Sequence, residues 1–204
     1  MYDVFLEVEM TKNIVFDWGG TIVKDALLFR HMADRYFYGP DSWEICKMAP
    51  PMSSAFFKES KQYPEAIRVV SRYCGTTIDS PTKNFIVFDN KPVLDLSQGL
   101  IGLSLKFQQI GGSANGIYIE SDKLSLAKRI SADIFVEDDP RIAITLANAG
   151  VKTILMLREW NKFFNYDILK SLTSKEKYEK IKDNFFFVED WLDVENLIES
   201  LIKK

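Results

Sequence analysis

The sequence predicts an α/β fold built on a parallel β-sheet. Short apolar runs alternate along the chain with segments of helical pattern, the order in which parallel strands and their crossover helices occur. Acidic residues directly follow three of these runs, and the carboxyl ends of parallel strands share one edge of the sheet, where ligands bind. The segment after the first run is rich in aromatic residues and helix formers. We therefore expect a parallel sheet flanked by helices, with a small helical insertion after its first strand.

The apolar runs locate the strands in order. NIVF at 13–16 and NFIVF at 84–88 are the first two. Further strands are predicted at 116–119, 134–136 and 151–156, and the run at 185–188 is predicted to be added at an edge of the sheet. Helical patterns occupy 124–131 and 140–149. The second has Pro140 at its first position and Gly150 just past its end, the usual asymmetry of helix termini.

The insertion divides the chain into two predicted domains. Residues 1–24 and 83–204 are assigned to the α/β core, and residues 25–82 to a helical cap. Within the cap segment, ALLFRHMADRYF, SSAFFKES and YPEAIRVVSRYCG favour helices, and no clear strand is visible.

The composition excludes several classes of protein. A net charge of −3 offers no electrostatic footprint for a nucleic-acid polymer. No uncharged apolar run approaches membrane-spanning length, so no membrane partner is expected. The opening MYDVFLEVEMTK contains acids and does not read as a signal peptide, and two cysteines make no disulfide framework. A cytoplasmic protein is predicted. Because His31 is the only histidine, chemistry is expected to depend on carboxylates.

Acidic residues at strand ends are the candidate chemical groups. Asp17 follows NIVF, Asp89 follows NFIVF, and three consecutive acids, Glu137, Asp138 and Asp139, follow DIFV. Asp139 can serve as the N-cap before Pro140, which leaves the other two without a structural role. If the sheet brings Asp17 beside them, the carboxylates suit Mg²⁺. Glycines at 19–20 then offer backbone N–H groups to a phosphate.

At this level of detail the sequence resembles the haloacid dehalogenase superfamily, whose phosphatases open with a strand followed by Asp-x-Asp-Gly-Thr. NIVFDWGGT matches with Asp17, Gly20 and Thr21 in place. DKLSLAKRISADIFVEDDP resembles the family's lysine motif and its acidic magnesium motif. ILMLREWN and FFFVEDWLDVENLIESL are similar to the closing pattern of the deoxyribonucleotidase-like members. The resemblance implies a Rossmann-like core and a cap inserted after the first motif.

The resemblance also implies a mechanism and a set of site residues. Asp17 would be the nucleophile and form an aspartyl-phosphate, and Lys123 would pair with the phosphate and with Asp17. Mg²⁺ would be held by Asp17, by the carbonyl of Gly19, and by Glu137 or Asp138. Substrate contacts would come from Thr21, Gly20 and, at the end of the second strand, Asn90. The implied partner is a small phosphorylated substrate, and a nucleotide is one candidate.

Two positions depart from the family pattern. Gly19 stands where the phosphatases carry the aspartate that protonates the leaving group, and losing such a group costs roughly 10²- to 10⁴-fold in rate. The second strand ends in Asp89 and Asn90 instead of threonine or serine, so either Asn90 contacts the phosphate or the loop register differs.

Three hypotheses follow from the match and the departures. The first is a magnesium-dependent phosphohydrolase that acts on a small phosphomonoester. The second is a non-catalytic or weakly active protein that binds phosphate or metal. The third is a phosphonatase-like hydrolase, a branch that lacks the same aspartate and uses a cap lysine; the candidates here are Lys24, Lys47, Lys58 and Lys61.

Overall fold

A single parallel sheet forms the centre of the protein. The structure is a computed structural model that describes residues 11–22, 62–77, 79–88, 104–105 and 107–203. Six strands are arranged in the order β3-β2-β1-β4-β5-β6, and each neighbouring pair is parallel. The predicted α/β fold is confirmed, with the last strand at an edge as expected. The strands are β1 Lys12–Asp17, β2 Thr82–Phe88, β3 Gly116–Ile119, β4 Ile134–Glu137, β5 Lys152–Met156 and β6 Phe185–Val188.

The order of the strands creates a crevice beside β1. The chain adds β2 and β3 on one side of β1, then returns to place β4, β5 and β6 on the other side. In doubly wound sheets, ligands bind outside the carboxyl ends of the strands where the order reverses. That point lies here between β1 and β4. Phe16 is paired in register with Val136, so Asp17 and Glu137 follow them side by side.

Helices cover both faces of this sheet. The helix Pro140–Asn148 follows its N-cap Asp139, whose side chain accepts a hydrogen bond from the backbone N–H of Arg141. Gly150 follows the helix with a φ of 93°, a conformation that favours glycine. Both ends of this helix agree with the sequence prediction. None of the described helices is long and apolar enough to span a bilayer. The described helices are α1 Pro64–Arg72, α2 Lys123–Arg129, α3 Pro140–Asn148, α4 Tyr166–Leu172, α5 Lys175–Ile181 and α6 Trp191–Ile202.

Successive residues of β1 contribute to different cores, because side chains alternate across a strand. Ile14 and Phe16 are fully buried in a cluster that includes side chains of α1 and α6. Val15 is buried on the opposite face, with Leu126 of α2 and Leu146 of α3. Covered on both faces, β1 reads as a continuous apolar run, as buried parallel strands do. This burial holds the end of β1, and therefore Asp17, in a rigid position.

Helix α1 packs on the same core as the sheet. Its buried residues Ala66, Val69 and Val70 belong to the cluster of Ile14, and the helix contacts α6. It lies within the segment 25–82 that the sequence assigned to the cap. Residues 25–61 lie outside the described residues, so the proposed division into core and cap stays a prediction.

An ion pair between α1 and α6 predicts a pH-dependent stability. Glu195 is 5% exposed and accepts hydrogen bonds from Nη1 and Nη2 of Arg68, at 2.9 and 2.7 Å, and from Arg72. The Arg68 hydrogen bond outweighs the opposing effect of burial and, with Arg72, lowers the pKa of Glu195 to about 2 from its usual 4.5. Because the folded-state pKa is the lower one, the stabilisation is present above pH 4.5 and is lost as the pH falls toward 2.

We expect Glu195→Gln to lower the free energy of unfolding at pH 7 by about 1 to 2 kcal/mol, a value reduced because both arginines are largely exposed. Urea titrations between pH 7 and pH 2 should show the gap to the wild type closing below pH 4.5. Glu189→Gln, at an exposed position, is the control. A gap that stays constant over the acidic range would contradict the assignment.

Candidate active site

Asp17, Lys123 and Glu137 form a buried ionic cluster at the carboxyl edge of the sheet. Asp17 ends β1, Glu137 ends β4, and Lys123 is the first residue of α2. Nζ of Lys123 lies 2.7 Å from Oδ1 of Asp17 and 2.8 Å from Oε2 of Glu137. Each of the three side chains is at most 4% exposed. Buried charges are tolerated when they are paired in this way, and removing one partner is costly.

Lys123 remains a cation in this cluster. Burial by itself lowers the pKa of a lysine, because it disfavours the charged form. Here the attraction of Asp17 and Glu137, together with their hydrogen bonds, outweighs burial and raises the pKa of Lys123 above its usual value. The side chain is therefore a hydrogen-bond donor and a fixed positive charge at neutral pH, and not a general base.

Glu137 has both carboxylate oxygens engaged by the protein. Its Oε2 accepts from Lys123, while Oε1 accepts from the backbone N–H groups of Asp138 and Asp139, both at 3.1 Å. These bonds fix the turn that leaves β4 and hold the lysine over Asp17. In this arrangement Glu137 positions its neighbours.

Asp138 faces the loop that follows β1. The hydroxyl of Thr21, a buried residue, lies 3.5 Å from Oδ1 of Asp138. Gly20 has a φ of 71°, a left-handed conformation that glycine adopts at little cost. A Cβ atom at this position would also overlap Oδ2 of Asp138 and approach the ring of Trp160 to within 2.8 Å. A glycine at position 20 therefore lets the two loops approach each other closely.

The three acids fit a divalent cation. Asp17, Glu137 and Asp138 each offer a carboxylate oxygen, and these oxygens lie within 4.8 Å of one another. Carboxylate oxygens are the hard ligands that Mg²⁺ prefers. The Lys123 ammonium pairs with two of the three carboxylates, those of Asp17 and Glu137. The donor type of this group therefore favours a hard cation.

The loop after β5 is hydrogen-bonded to both loops of this site. We call residues 157–161, with the sequence LREWN, the brace loop. Nε and Nη2 of Arg158 donate to the backbone oxygens of Gly20 and Thr21, at 3.1 and 3.0 Å. Nδ2 of Asn161 donates to the backbone oxygen of Asp138 at 2.7 Å. LREWN entered the sequence prediction only through the family resemblance, and no role was predicted for Arg158 or Asn161. Local pattern carries no signal for contacts with residues 23 to 138 positions away.

The structure brings together most of the predicted site residues. Asp17, Lys123, Glu137 and Asp138 meet at one edge, as the sequence analysis expected. Gly20 and Thr21 border them. The roles of the Gly19 carbonyl and of the backbone N–H groups in ligand binding stay predictions. Asn90, the predicted substrate contact of the second strand, and its alternative Asp89 lie outside the described residues.

The fold and this acidic edge define a doubly wound α/β protein with a carboxylate site at its switch point. No family model matches the chain, and no curated protein matches it. Among solved structures, it is similar to a "putative beta-phosphoglucomutase" from Thermotoga maritima, with 13% identity, a TM-score of 0.52, and coverage of 93% of this chain and 99% of the other. A haloacid dehalogenase superfamily hydrolase of subfamily IA from Geobacter sulfurreducens aligns over 72% of this chain and 87% of its own, with 13% identity and a TM-score of 0.44.

At this identity the likeness to the first structure concerns the fold. It extends over nearly the whole of both chains. The Rossmann-like core that the motif resemblance implied is therefore confirmed.

Proposed function

We propose that this chain is a magnesium-dependent phosphohydrolase of the haloacid dehalogenase superfamily that acts on a small phosphomonoester. The observation that carries the proposal is the buried Asp17–Lys123–Glu137 cluster, with Asp138 beside it, at the switch point of the sheet. A nucleophile, a fixed cation and a set of metal-binding oxygens then occupy one crevice. The ordered motifs of the sequence support the same assignment.

We assign the role of second metal ligand to Asp138 in preference to Glu137. Both oxygens of Glu137 accept hydrogen bonds from the protein, whereas Asp138 faces the loop of Gly20 and Thr21. Asp17 and Asp138, with the carbonyl of Gly19, would hold the Mg²⁺. When bound, the cation offsets the negative charge of the site and of the phosphate and polarises a phosphoryl oxygen.

Asp17 supplies the nucleophile. A carboxylate oxygen forms a bond to phosphorus, and the bond to the leaving group breaks with its electron pair on the leaving oxygen. Water then attacks phosphorus and gives a proton to solvent, the bond between phosphorus and the Asp17 oxygen breaks to return the carboxylate, and inorganic phosphate is released. Two of the three ammonium hydrogens of Lys123 are used by Asp17 and Glu137, which leaves the third for a phosphate oxygen.

Gly19 determines which leaving groups the enzyme tolerates. It has no side chain to protonate the departing oxygen, so we expect that oxygen to take its proton from solvent. Aryl and acyl phosphates have leaving groups that are stable without a proton, and alkyl phosphates do not. We therefore compare the ratio of the aryl to the alkyl phosphate turnover rate. This ratio should be larger than in a relative that has the acid, by roughly 10²- to 10⁴-fold.

The test is phosphate release from p-nitrophenyl phosphate, acetyl phosphate, glycerol phosphate and a panel of nucleoside monophosphates, each with Mg²⁺ and with EDTA. The expected result is magnesium-dependent release from the first two, with far slower release from the alkyl esters. Gly19→Asp, which restores the family's acid, is the matched variant and should raise the alkyl rate more than the aryl rate. Measurable turnover of a nucleotide would support the nucleotidase-like branch.

The missing acid at position 19 also favours a second candidate, a non-catalytic protein that binds phosphate or metal through the same edge. The same panel separates the two functions. A folded chain that binds Mg²⁺ and releases phosphate from neither aryl nor acyl phosphate is the result expected for the binding protein. It would rule out the hydrolase for these substrates. The lysines considered for a phosphonatase, at 24, 47, 58 and 61, lie outside the described residues.

A further inference from the structure

The brace loop touches both of the loops that form the acidic edge. On one side, Arg158 donates to the backbone oxygens of Gly20 and Thr21. On the other side, Asn161 donates to the backbone oxygen of Asp138. The loop thus connects the segment that follows the nucleophile with the segment that carries the second acid.

The two halves of the brace loop are bonded to each other and to the sheet. Oδ1 of Asn161 accepts from the backbone N–H of Arg158, and its Nδ2 donates to the backbone oxygen of Met156, the last residue of β5, at 2.9 Å. Asn161 is 6% exposed. A buried side chain that uses both its donor and its acceptor in this way is held in one orientation. The brace loop is therefore a rigid extension of β5.

The Arg158 guanidinium also packs against an aromatic ring. Its central carbon lies 4.1 Å from the centre of the Tyr63 ring, a cation–π arrangement. Tyr63 is tied to the loop after β1, since its backbone N–H donates to the carbonyl of Ile22 at 3.0 Å. The Tyr63 ring contacts one face of the guanidinium, and Nε and Nη2 bond the carbonyls of Gly20 and Thr21. The side chain can therefore hold these two residues in one position.

We propose that Arg158 is a positioning residue for the metal site. It sets the distance between Asp138 and the loop that follows β1, at Gly20 and Thr21, and therefore the affinity for a divalent cation. This inference rests on the proposed function, because it concerns the same acidic edge. Gly20 and Asp138 are so close that a Cβ at residue 20 would overlap the carboxylate. A small shift of the Gly20 loop therefore moves the oxygens that must converge on the ion. Arg158 contacts backbone oxygens of the loop and takes no part in the bonds that are made or broken.

The test measures metal binding directly. Mn²⁺ serves as the spectroscopic probe, and its binding is followed by electron paramagnetic resonance and competed with Mg²⁺ in wild type, Arg158→Gln, Arg158→Lys and Arg141→Gln. Loss of a supporting contact around a metal typically weakens affinity by roughly 10- to 100-fold, and we expect that range for Arg158→Gln. Arg158→Lys keeps the positive charge but lacks the planar guanidinium that bonds two carbonyls at once, so its affinity should lie between those of Arg158→Gln and the wild type. Arg141 is exposed and pairs with Asp139, and its substitution removes the same charge near the site and should leave affinity unchanged.

The outcomes separate this inference from the proposed function. A wild-type chain that does not bind Mn²⁺ overturns both. Wild-type binding with equal affinity in Arg158→Gln overturns the positioning role alone, and so does complete recovery by Arg158→Lys, which would show that charge suffices. Circular dichroism melts establish that each variant is folded. If Arg158→Gln does not fold, the comparison of wild type with Arg158→Lys decides: equal affinity overturns the inference, and a weakened affinity in a folded protein supports it.

Discussion

Asp17→Asn is expected to lower magnesium-dependent phosphate release by at least about four orders of magnitude, the scale seen when a nucleophile is removed from an enzyme. The amide has nearly the shape of the carboxylate but is a poor nucleophile, and it loses the charge that binds both Lys123 and the cation. The measurement is steady-state release from p-nitrophenyl phosphate. Mass spectrometry of acid-quenched wild-type enzyme should also find one phosphoryl group on Asp17, which is absent from the variant.

Asp139→Asn is the matched control for this experiment. It removes one negative charge from the same acidic run, and asparagine is as good an N-cap for α3 as aspartate. We expect this variant to keep most of the wild-type activity. Release that survives in Asp17→Asn, with no phosphoryl enzyme in the wild type, would contradict covalent catalysis and favour direct attack by water.

Lys123→Met is expected to destabilise the protein by about 3 to 5 kcal/mol in EDTA, because it leaves two buried carboxylates without their shared partner. Methionine approximates the volume of the lysine stem, so the loss reflects charge more than packing. Mg²⁺ should restore part of the stability, since a cation between Asp17 and its neighbours replaces some of the missing charge. Phosphate release should fall as well, because the third ammonium hydrogen is lost.

Urea unfolding with EDTA and with saturating Mg²⁺ measures both effects. Lys128→Met is the control, because Lys128 lies on the same helix but is exposed. A free energy of unfolding for Lys123→Met that equals the wild-type value in EDTA would show that the two acids do not depend on the lysine. The ionic cluster would then have to be described differently.

The strands and the best-defined helix could be predicted because their signals are local. IVF, FIVF and IFV, in β1, β2 and β4, are continuous apolar runs because these strands are covered on both faces. Pro140 and Gly150 mark the limits of α3 through backbone geometry alone. The chemical groups were also visible, since an acid directly after a buried strand is costly unless it is paired or bound. Asp17 and Glu137 were identified on that basis.

The partner of each acid was not predictable in the same way. Glu137 and Asp138 are neighbours in sequence and looked equivalent as ligands, yet one binds Lys123 and two backbone N–H groups while the other faces Gly20. The difference depends on the direction in which each side chain leaves the end of β4. No local pattern identified Arg158 or Asn161, because their hydrogen-bond partners lie far back in the chain. Thr21 is 137 positions before Arg158, and Asp138 is 23 positions before Asn161.

Elements and reactive groups thus follow from local sequence, whereas their meeting depends on the order of the strands. β1 and β4 are separated by more than a hundred residues. They become neighbours because the helices on both faces must bury their apolar sides against one sheet. That long-range packing places Asp17, Lys123 and Glu137 within hydrogen-bonding distance and sets the brace loop behind them. The chain encodes the carboxylates in short motifs, and the packing of the whole sheet brings them together in one cluster, for which we propose a cation and a phosphate as ligands.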